Sequence, residues 1–456
     1  MNLKKVSKVL FVDVFGILVG VMSGFLIPKA LDIEGYSFLK TFSLYATYAG
    51  VFHFGFSDGI YILLGGKCRE EVDKEKIKGY YNFILKSQLI VVIVLILISS
   101  LIIKDKAFIY FSYYILPFQV TLFIRLYYRA IGEFDYYSSI QAIINVMNLL
   151  ATLIVAFIYR SPKLYIFMQI FSYVTATIIF SYIFCKSYKK GKAISFKEIK
   201  QICAIGITVM LGNTLCSLFF SLDRWFIKAY FSSYEFASYS YAVSMLNLFI
   251  VLITSIGILF YPYISRNINN FEIRRKAKDC LLLISILCTS GYFVLELITD
   301  KFLSKYSGSM EVMGILILSL PFIALTNVLY SNLYKASKQG KKYLVVAVKM
   351  FIIAFMLNSF FTLVIKNSTM IAYATLISFA AWYLYGAKDF KGIEIYKREI
   401  FMIAFYISVF SLLRYLGIKH FIGFIIYLFT LLVAELLLYR KEVEGIKLYL
   451  MKKLNW

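Results

Sequence analysis

Asp13, His53 and Asp58 stand inside stretches built almost wholly of apolar residues. An ionisable side chain at membrane depth is costly, so each is a functional candidate by default. Asp13 shares one helix face with Gly16, Gly20 and Gly24, at spacings i, i+3, i+7 and i+11. That glycine stripe fits tight helix packing, and equally a helix that bends. Asp58 is expected at a depth like that of Asp13, on the same helix as His53. Two carboxylates with an imidazole nearby take up and release a proton, or bind a cation, near neutral pH. The plainer reading is partly solvated residues at a helix mouth. The basic candidates are Lys40, Lys86, Arg125, Arg224 and Lys349. Arg is best suited to an anion because its fork matches phosphate-type oxygens. Lys86 and Lys349 fall close enough to a helix end to snorkel. Arg125 is the sharper candidate, because Arg129 one turn on already serves as an anchor. Asn213, Thr214 and Ser217 form a polar stripe suited to hydroxyl groups or, as well, to helix packing.

The elements that carry these residues must be membrane helices. Of the 456 residues, 61% are hydrophobic and 16% charged, with a mean hydropathy of +0.77. Soluble domains carry about 25% charged residues. Runs near the ~20 residues that cross a bilayer recur throughout. They fall at roughly 8–28, 37–65, 80–103, 107–128, 138–159, 164–185, 202–222, 236–262, 279–299, 311–334, 343–365, 369–387, 400–416 and 421–439. The expectation is an all-α polytopic membrane protein of about 14 transmembrane helices. The first run lacks a small-residue cleavage site and is too long for a signal-peptide core, so it reads as a span. Roughly two-thirds of the 49 Lys and Arg fall on one side, in segments such as "GGKCREEVDKEKIKG" and "CKSYKKGKAISFKEIK", which places both termini in the cytoplasm. The net charge of +24 is then a topology signal and a match for anionic membrane lipids. No basic patch lies on a soluble domain, so nucleic acid is not an expected partner. The six cysteines are scattered without a C-x-x-C pair and read as small hydrophobes, with no metal or cofactor site. No Walker sequence is present, so the protein is not expected to hydrolyse ATP.

A parallel internal repeat is visible. "LPFQVTLFIRLYYRAIGEFDYYSSIQAIINVMNLLATLIVAFIY" (116–159) matches "LPFIALTNVLYSNLYKASKQGKKYLVVAVKMFIIAFMLNSFFTLVI" (320–365), each with a deep Asn, Asn148 and Asn358. "EGYSFLKTFSLYA" (34–46) resembles "SSYEFASYSYA" (232–242). The expected domains are a six-helix lobe over 1–195, a second over 196–395, and two added helices with a cytoplasmic tail over 396–456. Parallel repeats around a midplane cavity are a transporter design. Asp223–Arg224 is expected at the outer end of helix 7, with the Tyr/Ser run as the outer turn. There the charges either reach water beside an aromatic belt or line the rim of a cleft.

The outer turn into "YSYA", then "ILFYPYISR" (258–266), the Pro-headed helix 10 and "MIAYATLIS" (370–378) resemble Wzx-type oligosaccharide flippases. These belong to the multidrug/oligosaccharidyl-lipid/polysaccharide superfamily. The resemblance implies two six-helix lobes with a cavity open alternately to each side. It implies passage of undecaprenyl-diphosphate-linked oligosaccharide across the bacterial cytoplasmic membrane, for capsule, O-antigen or other surface polysaccharide. The partners it implies are that lipid, the membrane and the polysaccharide polymerase and chain-length machinery. On this resemblance Lys40, Arg125, Asn213, Asp223, Arg224 and Lys349 are the expected substrate-binding residues, and Asp13, His53 and Asp58 the ion-coupling ones. The sequence departs from its relatives in one respect: helices 1 and 8 carry no basic residue at mid-depth. A multidrug exporter of the same superfamily is the main alternative, and a lipid II flippase a near variant. A membrane polymerase or ligase fits less well, because the outer loops are too short for a catalytic site.

Overall fold

Backbone in lipid must satisfy its own hydrogen bonds, which for an open chain means helices. The computed structural model follows that rule: among the described residues every regular element is helical. The structure describes residues 3–266 and 270–440, with side chains from 7 to 255 and from 270 to 440. The side chains of 258–266 and the tail 441–456, both invoked above, lie outside the described residues. Eleven helices among the described residues are long and apolar enough to cross a membrane. This is a multi-pass membrane protein.

Three expected spans are not among the eleven. The one at 37–65 is broken into two short helices. Those at 369–387 and 400–416 are helical over Ser368–Gly386 and Lys397–Tyr415. The first is diluted by Ser, Thr and Tyr, and the second carries Lys397, Arg398, Glu399 and Arg414.

Contacts divide the chain into two compact units, Met1–Ser221 and Leu222–Trp456. The first holds α1 (Leu3–Ala30), α2 (Ile33–Ala46), α3 (Phe56–Leu64), α4 (Lys74–Ile98), α5 (Lys106–Ala130), α6 (Phe134–Phe157), α7 (Pro162–Ser187) and most of α8 (Phe196–Tyr230). Short polar caps start four of them: Asp32, Asp73, Asp105 and Ser161 each accept from a backbone N–H of the first turn, the preferred N-cap chemistry. The central member is α5, which packs against α2, α3, α4, α6 and α7. By contrast α1 packs chiefly along α6, and Phe11, Val14 and Leu18 on its other faces are exposed.

The second unit holds α9 (Ser233–Arg266), α10 (Phe271–Cys288), α11 (Gly291–Phe302), α12 (Ser309–Leu316), α13 (Leu320–Ala324), α14 (Ser331–Ala336), α15 (Gly340–Phe360), α16 (Ser368–Gly386), α17 (Lys397–Tyr415) and α18 (His420–Leu438). The stretch Ser309–Ala336 is almost wholly buried and is wound as π-helix over Leu325–Tyr330. A buried ionic network ties α17 to α10. Lys278 donates to Glu399 at 2.7 Å and to the carbonyls of Ile393 and Glu394 at 3.0 Å each. Both side chains of the pair are 1% exposed. Tyr383 adds a donor to Glu399 at 2.5 Å, and Arg398 pairs with Asp279 at 2.6 Å. All three ammonium protons are used, which is what a buried charge requires.

The entry into α9 differs from expectation. No Gly or Pro follows Asp223, so α8 runs on to Tyr230 and the turn is only Phe231–Ser232. Ser232 and Glu235 cap each other there: the Ser232 N–H reaches Glu235 at 3.0 Å and the Glu235 N–H reaches Ser232 Oγ at 3.3 Å. The S-x-x-E spacing is a capping box. Asp223 and Arg224 therefore sit within a helix, and the Tyr/Ser run lies inside the next one.

Candidate functional site

The break in the second span builds the site. After α2 the chain makes a 3-10 turn over Ala49–His53, then places Phe54 (φ 50) and Gly55 (φ 82) in the left-handed region before α3 begins. A left-handed Phe is strained by about 1–2 kcal/mol, and Gly55 takes its position without that cost. Unwinding frees backbone carbonyls, which lipid cannot satisfy. Two buried glutamines supply donors: Gln119 to the Ala49 carbonyl at 2.7 Å and Gln88 to that of Phe52 at 2.8 Å. The restarted helix is held close to α8 through glycines. A Cβ on Gly206 would stand 1.9 Å from the Gly55 carbonyl, and one on Gly59 2.1 Å from that of Ile202. Gly55-x-x-x-Gly59 is a small-residue packing motif.

Beside this crossing lies a cavity of about 300 Å³ in the first unit, lined by Tyr48, His53, Asp58, Asn213, Thr214 and Ser217 among others. The Gly55 N–H donates to His53 Nδ1 at 3.0 Å. A neutral imidazole so held keeps its proton on Nε2. That nitrogen faces Asp58 Oδ2 at 3.6 Å, just outside hydrogen-bond reach. The His53 side chain is 3% exposed and that of Asp58 15%. Asn213 lines the same space, and Tyr48 shares a short hydroxyl contact with Ser221. The arrangement suits proton or cation exchange next to polar groups able to bind hydroxyls.

The other candidates occupy separate places. Asp13 belongs to a different group from His53 and Asp58: the charges that act on it are those of Arg129 and Arg125. Arg125 donates to Gln141 Oε1 at 2.8 Å, and Arg129 lies over the Tyr61 and Tyr137 rings. Lys40 lies over the ring of Tyr36 at 5.1 Å. In the second unit, Asp223 is buried rather than at a wet rim. It accepts from Tyr239 at 2.9 Å, from Thr375 at 3.4 Å and from the Arg224 N–H at 2.7 Å. Arg224 Nε stands 3.7 Å from it. Lys349 is exposed and donates to Tyr385 at 3.1 Å. Lys86 is exposed.

Residues not singled out from sequence support the site from around it: Gln88, Gln119, Gly206, Gln141 and Asn145. The glutamines sit inside apolar runs and carried the same buried-polar signal as Asn213. The repeat pointed to Asn148, yet the Asn that reaches another helix is Asn145, one turn earlier. Of the glycine stripe, Gly16 packs tightly, its Cβ position 2.7 Å from Asn145 Nδ2, whereas Gly20 meets nothing within 4 Å.

Among curated proteins none matches the sequence. Among solved structures the chain is similar to the lipid II flippase MurJ in an inward closed conformation, with a TM-score of 0.70 at 16% identity over 99% of this chain and 100% of that one. It is also similar to the Vibrio cholerae MATE transporter VcmN, at a TM-score of 0.56 and 13% identity over 85% of this chain and 96% of that one. The MATE multidrug transporter DinF-BH matches with a TM-score of 0.57 at 15% identity, over 85% of this chain and 94% of that one. At such identities these likenesses establish the fold. Residues 36–268 match the model of a family described as polysaccharide biosynthesis protein. The matched stretch covers half the chain and includes the broken span, its cavity, Arg125 and Asp223, and on it the chain belongs to the polysaccharide biosynthesis protein family of Wzx-type flippases.

Proposed function

We propose that the protein flips undecaprenyl-diphosphate-linked oligosaccharide across the bacterial cytoplasmic membrane by alternating access, with both termini in the cytoplasm. The observation that carries this reading is the polar cavity against a broken membrane helix, within a chain of this family. Asn213, with Thr214 and Ser217, meets the sugar hydroxyls. Arg125, on α5 between the cavity-lining Leu122 and Leu126, takes the diphosphate, with Lys40, Lys349 and the Asp223–Arg224 pair as further points along the path. His53, Asp58 and Asp13 couple the cycle to an ion gradient. Surface polysaccharide synthesis, with its polymerase and chain-length proteins, consumes the product. Reconstituted vesicles carrying the labelled lipid test this. Arg125→Ala should lower transport by about tenfold or more, the weight of a charge-assisted hydrogen bond, with protein content unchanged. Native transport rates in that variant would remove Arg125 from the site.

One observation favours a second reading, a cation exporter. Among the described residues the cavity lining has a carboxylate, Asp58, and aromatic rings but no Lys or Arg, which suits a cationic amphiphile. The same vesicles discriminate: gradient-driven movement of a cationic dye, with none of the lipid, would replace the flippase reading.

A further inference from the structure

Arg125 is wired to α1 through two amides. Its Nη1 donates to Gln141 Oε1 at 2.8 Å, Gln141 Nε2 donates to Asn145 Oδ1 at 3.0 Å, and Asn145 Nδ2 donates to the Val12 carbonyl at 3.0 Å. Gln141 and Asn145 are four apart on α6, so they stack on one face. The chain of bonds has a direction. A guanidinium only donates, so it holds the Gln141 oxygen toward itself. That turns the Gln141 NH2 toward Asn145, which in turn fixes the Asn145 NH2 on α1. Gly16 leaves room for the last step, since a Cβ there would stand 2.7 Å from Asn145 Nδ2. On the same flank Lys8 pairs with Asp135 at 3.1 Å. Because α1 packs chiefly against α6, these polar bonds add to what holds it there.

We infer that Gln141 and Asn145 are positioning residues that report the occupancy of Arg125 to α1. The inference rests on the head-group reading above. When a diphosphate engages the guanidinium, Arg125 turns its donors to the phosphate oxygens and Gln141 loses its fixed orientation. The amide of Asn145 is then no longer held toward Val12, and α1 loosens beside Asp13. Substrate binding and release of this helix become one event.

Hydrogen–deuterium exchange of the full-length protein in lipid nanodiscs, with and without undecaprenyl diphosphate, tests it. In the native protein the ligand should speed exchange across 12–20 by about fivefold, the effect of one hydrogen bond on a local equilibrium. Asn145→Leu removes the bond to the Val12 carbonyl and leaves Arg125 its Gln141 acceptor. This neutral variant should bind the ligand within about threefold of native, while 12–20 exchanges fast with or without ligand. Asn145→Ala should behave alike. Ligand that binds the native protein without changing 12–20, or Asn145→Leu that responds as native does, would overturn the relay and leave the head-group reading standing. Binding that survives Arg125→Ala would overturn both.

Discussion

His53 holds two jobs that can be separated chemically. Its Nδ1 caps the Gly55 N–H, which fixes the left-handed turn, and its Nε2 faces Asp58. Asn places an oxygen about where Nδ1 lies and has nothing at Nε2. His53→Asn should therefore fold normally and bind substrate, yet lose stimulation by an imposed proton or sodium gradient in reconstituted vesicles. His53→Ala leaves a buried N–H unpaired and should in addition lose about 1–3 kcal/mol of stability, read as a lower melting temperature. Asp58→Asn should match His53→Asn. Gradient-driven transport that persists in both single variants would place coupling elsewhere, with the Asp13 group the next to test. Proximity of His53 to Asp58 follows from the turn at Phe54–Gly55. Five residues apart on a continuous helix they would point in different directions, so sequence could group the two but not show the broken turn that makes them face each other.

At the scale of elements, spans were legible and their interruption was not. Fourteen apolar runs were expected, and the eleven crossing helices all fall on them, because burial in lipid demands apolar length and little else. "TYAGVFHFG" (47–55) has no proline and no Asp, Glu, Lys or Arg, so nothing in its charge or proline content marks the break. Its sign was the glycine spacing, Gly50, Gly55 and Gly59, whose partner Gly206 lies far along the chain. The two glycine patterns give opposite expectations under one substitution. Gly206→Ala drives a Cβ to 1.9 Å from the Gly55 carbonyl, and backbone cannot step aside. The overpacking should cost at least about 1–3 kcal/mol and lower the melting temperature measurably. Gly20→Ala points into open space and should be neutral or stabilising by up to about 1 kcal/mol, since Ala favours the helix. Equal effects at the two positions would contradict the close crossing of α3 and α8.

For the whole molecule, the ionic network around Lys278 is a pronounced departure from an apolar interior. Replacing one member strands the other: Lys278→Met leaves Glu399 buried without its partner and should cost about 3–5 kcal/mol. Lys278→Met with Glu399→Gln should recover much of that, as a double-mutant cycle on thermal unfolding in detergent would report. Additive losses would mean the two side chains do not interact. Nothing in the sequence announced the pairing. Lys278 and Glu399 each look like a charge near a helix end, and their meeting depends on how α17 docks. The pair also has a history in time. The two residues are 121 apart in the chain, and synthesis proceeds at about 5–20 residues per second. On a nascent chain Lys278 and Asp279 thus wait on the order of 6–24 s before Glu399 and Arg398 exist, while the helix carrying them is already at the bilayer. Through that interval the insertion machinery or its chaperones must shield a lysine and an aspartate that the finished protein buries. A ribosome stalled before residue 397 would leave a chain that quality-control proteases recognise by those uncovered charges.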